Sequence, residues 1–368
     1  MVLAGFEDIM ALDNKSTVFA GAGAGEGQNA GRYRPGLLRL RPGAGDWEFL
    51  SSGLPENVEV RCIAQNPTDP RTIFVGTQDG PYRSKDGGDT WQRPDFPVDS
   101  AVIWSVAVHP TKPNIVYCGA APVAVYRSTD GGDSWRHMPQ VVSPSHCERE
   151  GFDSRTISVT FNPIHPDEIY VGLEVSGALR SIDAGESWQD VSSHLMELAQ
   201  LPHLQSNVGG RDCGVCEGML DTHAMVISRA APEVVFLGIR MGIFQSRDGG
   251  TTWQDTEVGK HSPITYCRDV IVSPHDPKVF YAALSKAAFS TEGALYRSDD
   301  IAQTWTRIDH GVTANSTIMS LAAHPSDPAV LYSVTRMGQV IGTEDGGKNW
   351  QEIPLPEGVS DVYAVACL

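Results

Sequence analysis

The feature that most constrains this chain is an eight-residue string, Ser128-Thr129-Asp130-Gly131-Gly132-Asp133-Ser134-Trp135, and its recurrence along the sequence. Near-perfect copies are Ser84-Lys85-Asp86-Gly87-Gly88-Asp89-Thr90-Trp91 and Ser246-Arg247-Asp248-Gly249-Gly250-Thr251-Thr252-Trp253. Ser181–Trp188 has lost one glycine, Thr343–Trp350 begins with Thr, Ser298–Trp305 has lost both glycines, and an eroded copy ends at Asp46-Trp47. Asp and Ser are short side chains that bond backbone N–H groups in a tight turn, and Gly supplies the positive φ such a turn needs. The Trp opens the following strand and provides a large apolar plate. The string is therefore a hairpin turn with a hydrophobic anchor, and only Trp104 of the eight tryptophans lies outside it.

A second signal precedes five of the copies. Asn66-Pro67-Thr68-Asp69-Pro70, His109-Pro110-Thr111-Lys112-Pro113, Asn162-Pro163-Ile164-His165-Pro166, Ser273-Pro274-His275-Asp276-Pro277 and His324-Pro325-Ser326-Asp327-Pro328 are Pro-punctuated turns between short apolar strands. Two further strands flank the Asp-containing turn, so each repeat holds four antiparallel strands. Successive tryptophans of the string lie 44, 44, 53, 65, 52 and 45 positions apart. The shortest of these intervals match the spacing of propeller blades. The expected fold is all-β, a single seven-bladed β-propeller over residues 1–368. Closure requires N- and C-terminal strands to share a blade, with residues 362–367 reading as the innermost strand, residues 17–50 supplying the others and residues 5–12 as the alternative for the inner place.

These turns match the Asp-box (bacterial neuraminidase repeat) pattern, Ser/Thr-x-Asp-x-Gly-x-x-Trp. The chain resembles Asp-box β-propellers, a group containing sialidases, sortilin-type receptors, xyloglucanases and photosystem II assembly-factor-like proteins. The resemblance spans nearly the whole chain and implies the propeller fold, while the scaffold hosts catalysts, receptors and assembly factors alike. A sialidase would carry a Phe/Tyr-Arg-Ile-Pro motif. The nearest string here, Tyr33-Arg34-Pro35-Gly36, lacks the intervening residue, and seven repeats exceed the six blades that sialidases imply, so a sialidase-like glycosidase ranks last. Xyloglucanases set their carboxylates between two propellers, and this chain has one.

The formal charge of −17 speaks against nucleic acid and anionic membranes as partners. The first residues lack the basic and apolar regions of a signal peptide, no stretch is long enough to span a bilayer, and seven irregularly spaced cysteines read as reduced thiols. A cytoplasmic protein is expected.

Extra residues fall near 140–154, 194–220, 257–266 and 286–292, all on the face opposite the Asp boxes, where strand alternation places the functional face. A short lid helix is expected within residues 194–204, and residues 21–36 form a Gly/Ala-rich loop suited to ordering on a ligand. Aligning the innermost strands on the Pro turns yields a ring at the channel mouth: Arg61, Trp104, Ile157, His223, Arg268, Met319 and Tyr363. Residues two apart add Asp153, Arg155, Asp221 and Tyr266, and neighbouring hairpin loops add Asp79, Glu174, Arg240, Lys286 and Arg336. Charged groups converging on a narrow funnel require partners or a ligand.

The leading expectation is a hydrolase or lyase for a small anionic substrate, with His223, oriented by Asp221, as base and Tyr266 or Glu150 as proton donor. Arg61, Trp104, Arg155, Arg240, Arg268, Arg336 and Tyr363 would bind the substrate. By resemblance to propeller lyases and lactonases, one divalent metal ion on His223 and His146 is an option. The alternative is a non-catalytic binding or assembly propeller holding a protein partner on the same arginine-bearing face. Cys213-Gly214-Val215-Cys216 lacks a second Cys pair for zinc and reads as free thiols.

Overall fold

A computed structural model describes residues 15–143, 154–205, 207–208, 211–212 and 214–368. Seven antiparallel sheets form the blades, and the innermost strand of each packs against the next in a closed ring. Blade one joins the two ends of the chain. Its innermost strand is Val362–Cys367, followed outward by Val18–Ala22, Gly36–Leu40 and Glu48–Leu50. The expected closure by a C-terminal inner strand is thus observed, with Val18 opposite Cys367 and Gly21 opposite Ala364.

The innermost strands of blades two to seven are Val60–Asn66, Val102–Val108, Thr156–Phe161, Thr222–Ser228, Tyr266–Val272 and Ile318–Ala323. Blade two has three full strands and a single bridge from Arg83 to Gln92 where the fourth would run. The apolar layers between blades are built from alternating strand residues and the box tryptophans, such as Phe74, Val116, Tyr126 and Trp135 between blades two and three.

Each box works as its composition predicts. The Ser128 hydroxyl donates to Asp130 Oδ1 (2.7 Å) and accepts from the Gly132 N–H (2.8 Å). Asp130 Oδ1 also accepts the Asp133 and Ser134 amides, and Oδ2 accepts the Ser134 hydroxyl at 2.6 Å. Donation from Ser134 leads the effects that hold the Asp130 carboxyl down at about 2. Gly132 sits at φ +89°, where a Cβ would also come within 2.7 Å of Phe74 in the preceding blade. The eroded box of blade six keeps the same backbone without glycine, with Ile301 and Ala302 at φ +60° and +61°, a conformation that L-residues adopt at a cost.

The boxes also hold blades to one another. Arg39, on the third strand of blade one, donates to the Gly87 carbonyl (2.9 Å) and to Asp89 (2.8 Å) of the next box. Arg83 repeats this on Gly131 and Asp133, and Arg127 on Ala184 and Glu186. The clamp needs Arg on the third strand and an acid at the sixth box position. Beyond blade four one or the other is missing. Thr251 replaces the acid, and Arg180 turns to Glu168 of its own blade. Lys348 replaces it facing blade six, and Arg297 pairs with Asp299. At these two unclamped junctions the grooves open into cavities of ≈ 400 Å³ and ≈ 180 Å³.

Two expectations are corrected. The helix in the longest insertion, Ser193–Leu198, is no lid over the channel. Its Leu195, with Ala199 and Leu204, is buried with Val191, Phe244 and Trp253 of blades four and five, and His194 Nδ1 accepts the Trp253 N–H at 3.0 Å. The apolar residues of this segment have more to gain against a box tryptophan than over a polar mouth. Ser192 does not cap it; its hydroxyl is engaged by Ala178 instead. Cys216, expected as a free thiol, is disulfide-bonded. Cys62, Cys118, Cys267 and Cys367 are free.

Arg39→Ala is expected to destabilise the protein by about 2 kcal/mol, because a buried clamp is lost. Arg297→Ala, at an unclamped junction, should stay within about 0.5 kcal/mol. Urea denaturation of the two variants measures the difference; equal losses would deny the clamp its role.

Candidate functional site

All seven ring residues expected from the repeat register line one cavity of ≈ 150 Å³ at the channel: Arg61, Trp104, Ile157, His223, Arg268, Met319 and Tyr363. They coincide because they occupy one position in seven equivalent strands. Charged residues flank this ring at the hairpin mouths, just before an innermost strand or just after the strand beside it. Blades four and five use that geometry with opposite polarity. In blade four Arg155 precedes the inner strand and Glu174 follows the second, while in blade five Asp221 precedes and Arg240 follows.

Glu174 is the centre of one network. It accepts from Arg155 Nε and, through its other oxygen, from Arg268 Nη1 at 2.9 Å. Burial would raise its carboxyl, but Arg155 and Arg268 outweigh burial and bring it to about 2. Asp221 anchors the second network, accepting from Arg240 Nε at 3.0 Å, with Nη2 also 3.0 Å away. The same oxygen, Oδ2, lies 3.2 Å from His223 Nε2.

His223 Nδ1 lies 2.7 Å from the Cys267 carbonyl oxygen, so Nδ1 carries a proton and donates it. Nε2 then faces Asp221 and the Tyr266 hydroxyl, 3.3 Å away. Burial pushes the Tyr266 phenol up to about 12, leaving it a proton donor at neutral pH. The expected trio of Asp221, His223 and Tyr266 is therefore assembled, but the His223 side chain is 0% exposed and Asp221 only 3%.

Arg61 differs from the other arginines. Its guanidinium lies against both the Trp104 and Tyr363 rings, 4.9 and 4.3 Å from their centroids, and donates through Nη2 to Glu59 at 2.7 Å. Nε and Nη1 are buried and have no hydrogen-bond partner among the described residues. Arg155 lies over the other part of this aromatic wall, 3.8 Å from the Trp104 centroid. Tyr363 donates its hydroxyl to Asp361 Oδ2 at 2.8 Å, and Arg336 Nε reaches Asp361 Oδ1 at 3.3 Å.

The expected set divides as follows. Arg61, Trp104, Arg155, Arg240, Arg268, Arg336 and Tyr363 gather at the channel mouth. Asp79 and Lys286 do not: they pair with Arg93 and Glu292 at the exposed rim. Glu150, His146 and Asp153 lie outside the described residues. Reasoning from the repeat missed Glu26, Glu59 and Asp361, and it also missed Asp269. Burial raises the Asp269 carboxyl to about 6, and this carboxyl accepts the Leu321 N–H at 2.8 Å. Asp361 and Glu59 each stand one or two positions before a ring residue, so the rule that added Asp221 beside His223 could have found them. Glu26 has no repeat register to reveal it.

Among the described residues, Glu174, Asp221 and His223 bring ligand atoms within 4.8 Å of one another, enough to surround a cation. Both carboxylates are already engaged by Arg155, Arg268 and Arg240, so a divalent ion there would sit beside three guanidinium groups.

A family model described as "Sortilin, neurotensin receptor 3" (Sortilin-Vps10) matches residues 241–363, about a third of the chain. No curated protein matches. Among solved structures, the GH74 xyloglucanase from Xanthomonas campestris is 18% identical with a TM-score of 0.59; the match covers 83% of this chain and 46% of that one. YCF48 from Cyanidioschyzon merolae is 16% identical with a TM-score of 0.57, covering 85% of this chain and 90% of that one. YCF48 bound to D1 peptide is 15% identical with a TM-score of 0.52, covering 82% and 83%. The chain thus spans less than half the length of the xyloglucanase and most of the length of YCF48. At these identities the likeness is one of fold: an Asp-box, seven-bladed propeller, a scaffold shared by glycoside hydrolases and by YCF48.

Glu174→Gln is expected to cost about 3–5 kcal/mol, because two buried guanidinium groups lose their counter-charge. The pH sign follows from the depressed carboxyl. Glu174 contributes stability above the ordinary carboxylate range, and the contribution is lost as pH falls toward about 2. Between pH 5 and pH 2 the gap in urea midpoint between wild type and variant should therefore narrow; a constant gap would contradict the assignment.

Proposed function

We propose that this protein is a binding propeller that receives a carboxylate-bearing ligand at the mouth of its central channel. One observation carries the reading: Arg61, with its side chain 7% exposed, keeps two nitrogens without a hydrogen-bond acceptor among the described residues while it lines the channel cavity. A buried donor left unpaired is costly, and a ligand oxygen that accepts from it recovers that cost on binding. The Trp104 and Tyr363 rings add an apolar wall, and Phe289 and Met337 are exposed beside Arg336 at the rim of an adjoining ≈ 340 Å³ cavity. The ligand that fits has an anionic end and an apolar body. A protein segment and a small organic acid both have that chemistry, and YCF48, similar in fold, has been solved with a peptide.

A hydrolase or lyase reading has the Asp221–His223–Tyr266 relay in its favour. Its imidazole has no exposed surface from which to meet a substrate, so we assign the trio to the channel wall, where it holds Arg240 and the inner strands of blades five and six in register.

Benzoate, a monocarboxylate with an apolar body, is a suitable probe. Arg61→Lys keeps the charge but removes the planar fork and is expected to weaken benzoate binding by about ten-fold or more, with little change in melting temperature. Calorimetric titration measures this. Unchanged affinity in the Lys variant would remove Arg61 from the site, and hydrolysis of phenyl benzoate that depends on His223 would restore the catalytic reading.

A further inference from the structure

The loop of residues 23–35 crosses the channel mouth and carries one carboxylate, Glu26. Its Oε1 lies 3.1 Å from Arg155 Nη1 and 4.0 Å from Arg61 Nη1, and its Oε2 lies 3.8 Å from Arg336 Nη2. These arginines come from blades four, two and seven, so a single side chain gathers three parts of the ring. We propose that Glu26 is the resident occupant of the anion site, and that an incoming carboxylate displaces it and opens this loop. The proposal rests on the carboxylate-binding reading and adds how the site is regulated.

Three observations support it. The first is how the loop is held. Its ends are tied by backbone bonds, from Gly23 N–H to the Asp361 carbonyl, Tyr33 N–H to the Ala24 carbonyl and Arg34 N–H to the Gly358 carbonyl. Between them, across residues 25–32, the ion pairs and hydrogen bonds to the ring among the described residues are those of Glu26. Gly27 and Gly31 stand at positive φ with nothing within 4 Å of where a Cβ would be, so packing does not anchor the tip. At the base, Gly23 has a different reason: a Cβ there would come within 2.7 Å of Arg61 Nη1. The loop is shaped to pass over this guanidinium.

The second observation is that Glu26 is an imperfect occupant. It approaches Arg61 only to 4.0 Å, with Asp361 Oδ2 at 3.9 Å from the same Nη1, and among the described residues Nε and Nη1 remain without a hydrogen bond. A ligand free of the loop's geometry can bond where Glu26 does not.

The third is charge. Among the described residues, each guanidinium of Arg61, Arg155, Arg240, Arg268 and Arg336 is paired with one or more of Glu26, Glu59, Glu174, Asp221 and Asp361, and Asp269 lines the same cavity as Arg61 and Arg268. Withdrawing Glu26 leaves the mouth short of one negative charge. A monocarboxylate restores the balance one for one, whereas a dianion overshoots it, which selects carboxylate over phosphate as the displacing group.

The test uses the full chain with Glu26→Gln and, as a control in the same loop, Gln28→Ala, whose side chain is exposed. Benzoate binding is measured by calorimetric titration, and loop opening by the rate of tryptic cleavage after Arg32, an exposed site within the loop. The proposal expects Glu26→Gln to bind benzoate roughly ten-fold tighter, since the competing state is depopulated. It also expects faster cleavage in Glu26→Gln, faster cleavage of wild type when benzoate is added, and wild-type behaviour for Gln28→Ala. Inorganic phosphate should bind more weakly than benzoate to both proteins. If wild type and Glu26→Gln bind benzoate equally, or the variant binds more weakly, the resident-carboxylate proposal is overturned while the anion site stands. If neither binds, both fall.

Discussion

A carboxylate that never meets the channel underlies this structure. In each well-formed box the aspartate carboxylate gathers one or two backbone amides and at least one hydroxyl into one turn, and Asp86, Asp130, Asp183, Asp248 and Asp345 are all held down at about 2. The turn positions the tryptophan that packs between layers, and in three junctions it presents the carbonyl and acid that receive the neighbouring blade's arginine. Local hydrogen bonding thus becomes long-range order, because the group that satisfies one turn also aims the anchor for the next blade. Where the acid or the arginine has been lost, apolar layers and other cross-blade bonds such as Leu321 N–H to Asp269 hold the ring, and cavities mark two of these junctions.

The channel mouth follows the opposite principle. Some of its charges pair within one blade, as Arg240 does with Asp221, and others join blades and residues far apart in sequence, as Arg268 joins Glu174 and Arg155 joins Glu26. Buried pairs of this kind add little net stability, yet removing one partner is costly. They therefore fix geometry more than they strengthen it. Arg61 is the exception in this balanced set, and a function is most readily read from that exception.

Periodicity made the fold legible. The box spacing implied seven blades and a closing blade shared by the two ends of the chain. The same register placed Arg61, Trp104, Ile157, His223, Arg268, Met319 and Tyr363 together, since equivalent positions of equivalent strands must converge on the axis. What the repeat could not convey lies in segments without a counterpart in other blades. Glu26 sits in a Gly/Ala-rich loop recognisable as an ordering element, but nothing in the sequence says which arginines its carboxylate meets. The helix at Ser193–Leu198 was legible as a helix and misplaced as a lid, because its packing partner, Trp253, is set by the fold rather than by proximity in the chain.

The central claim is that Arg61 holds unused donors for a carboxylate. The most direct measurement follows the arginine Nε–H signals by ¹⁵N NMR as benzoate is added, with the Arg61 signal assigned by its absence from a lysine variant. The account predicts a saturable shift of the Arg61 signal that is larger than that of any surface arginine. Small shifts spread evenly over all arginines and linear in benzoate would contradict it.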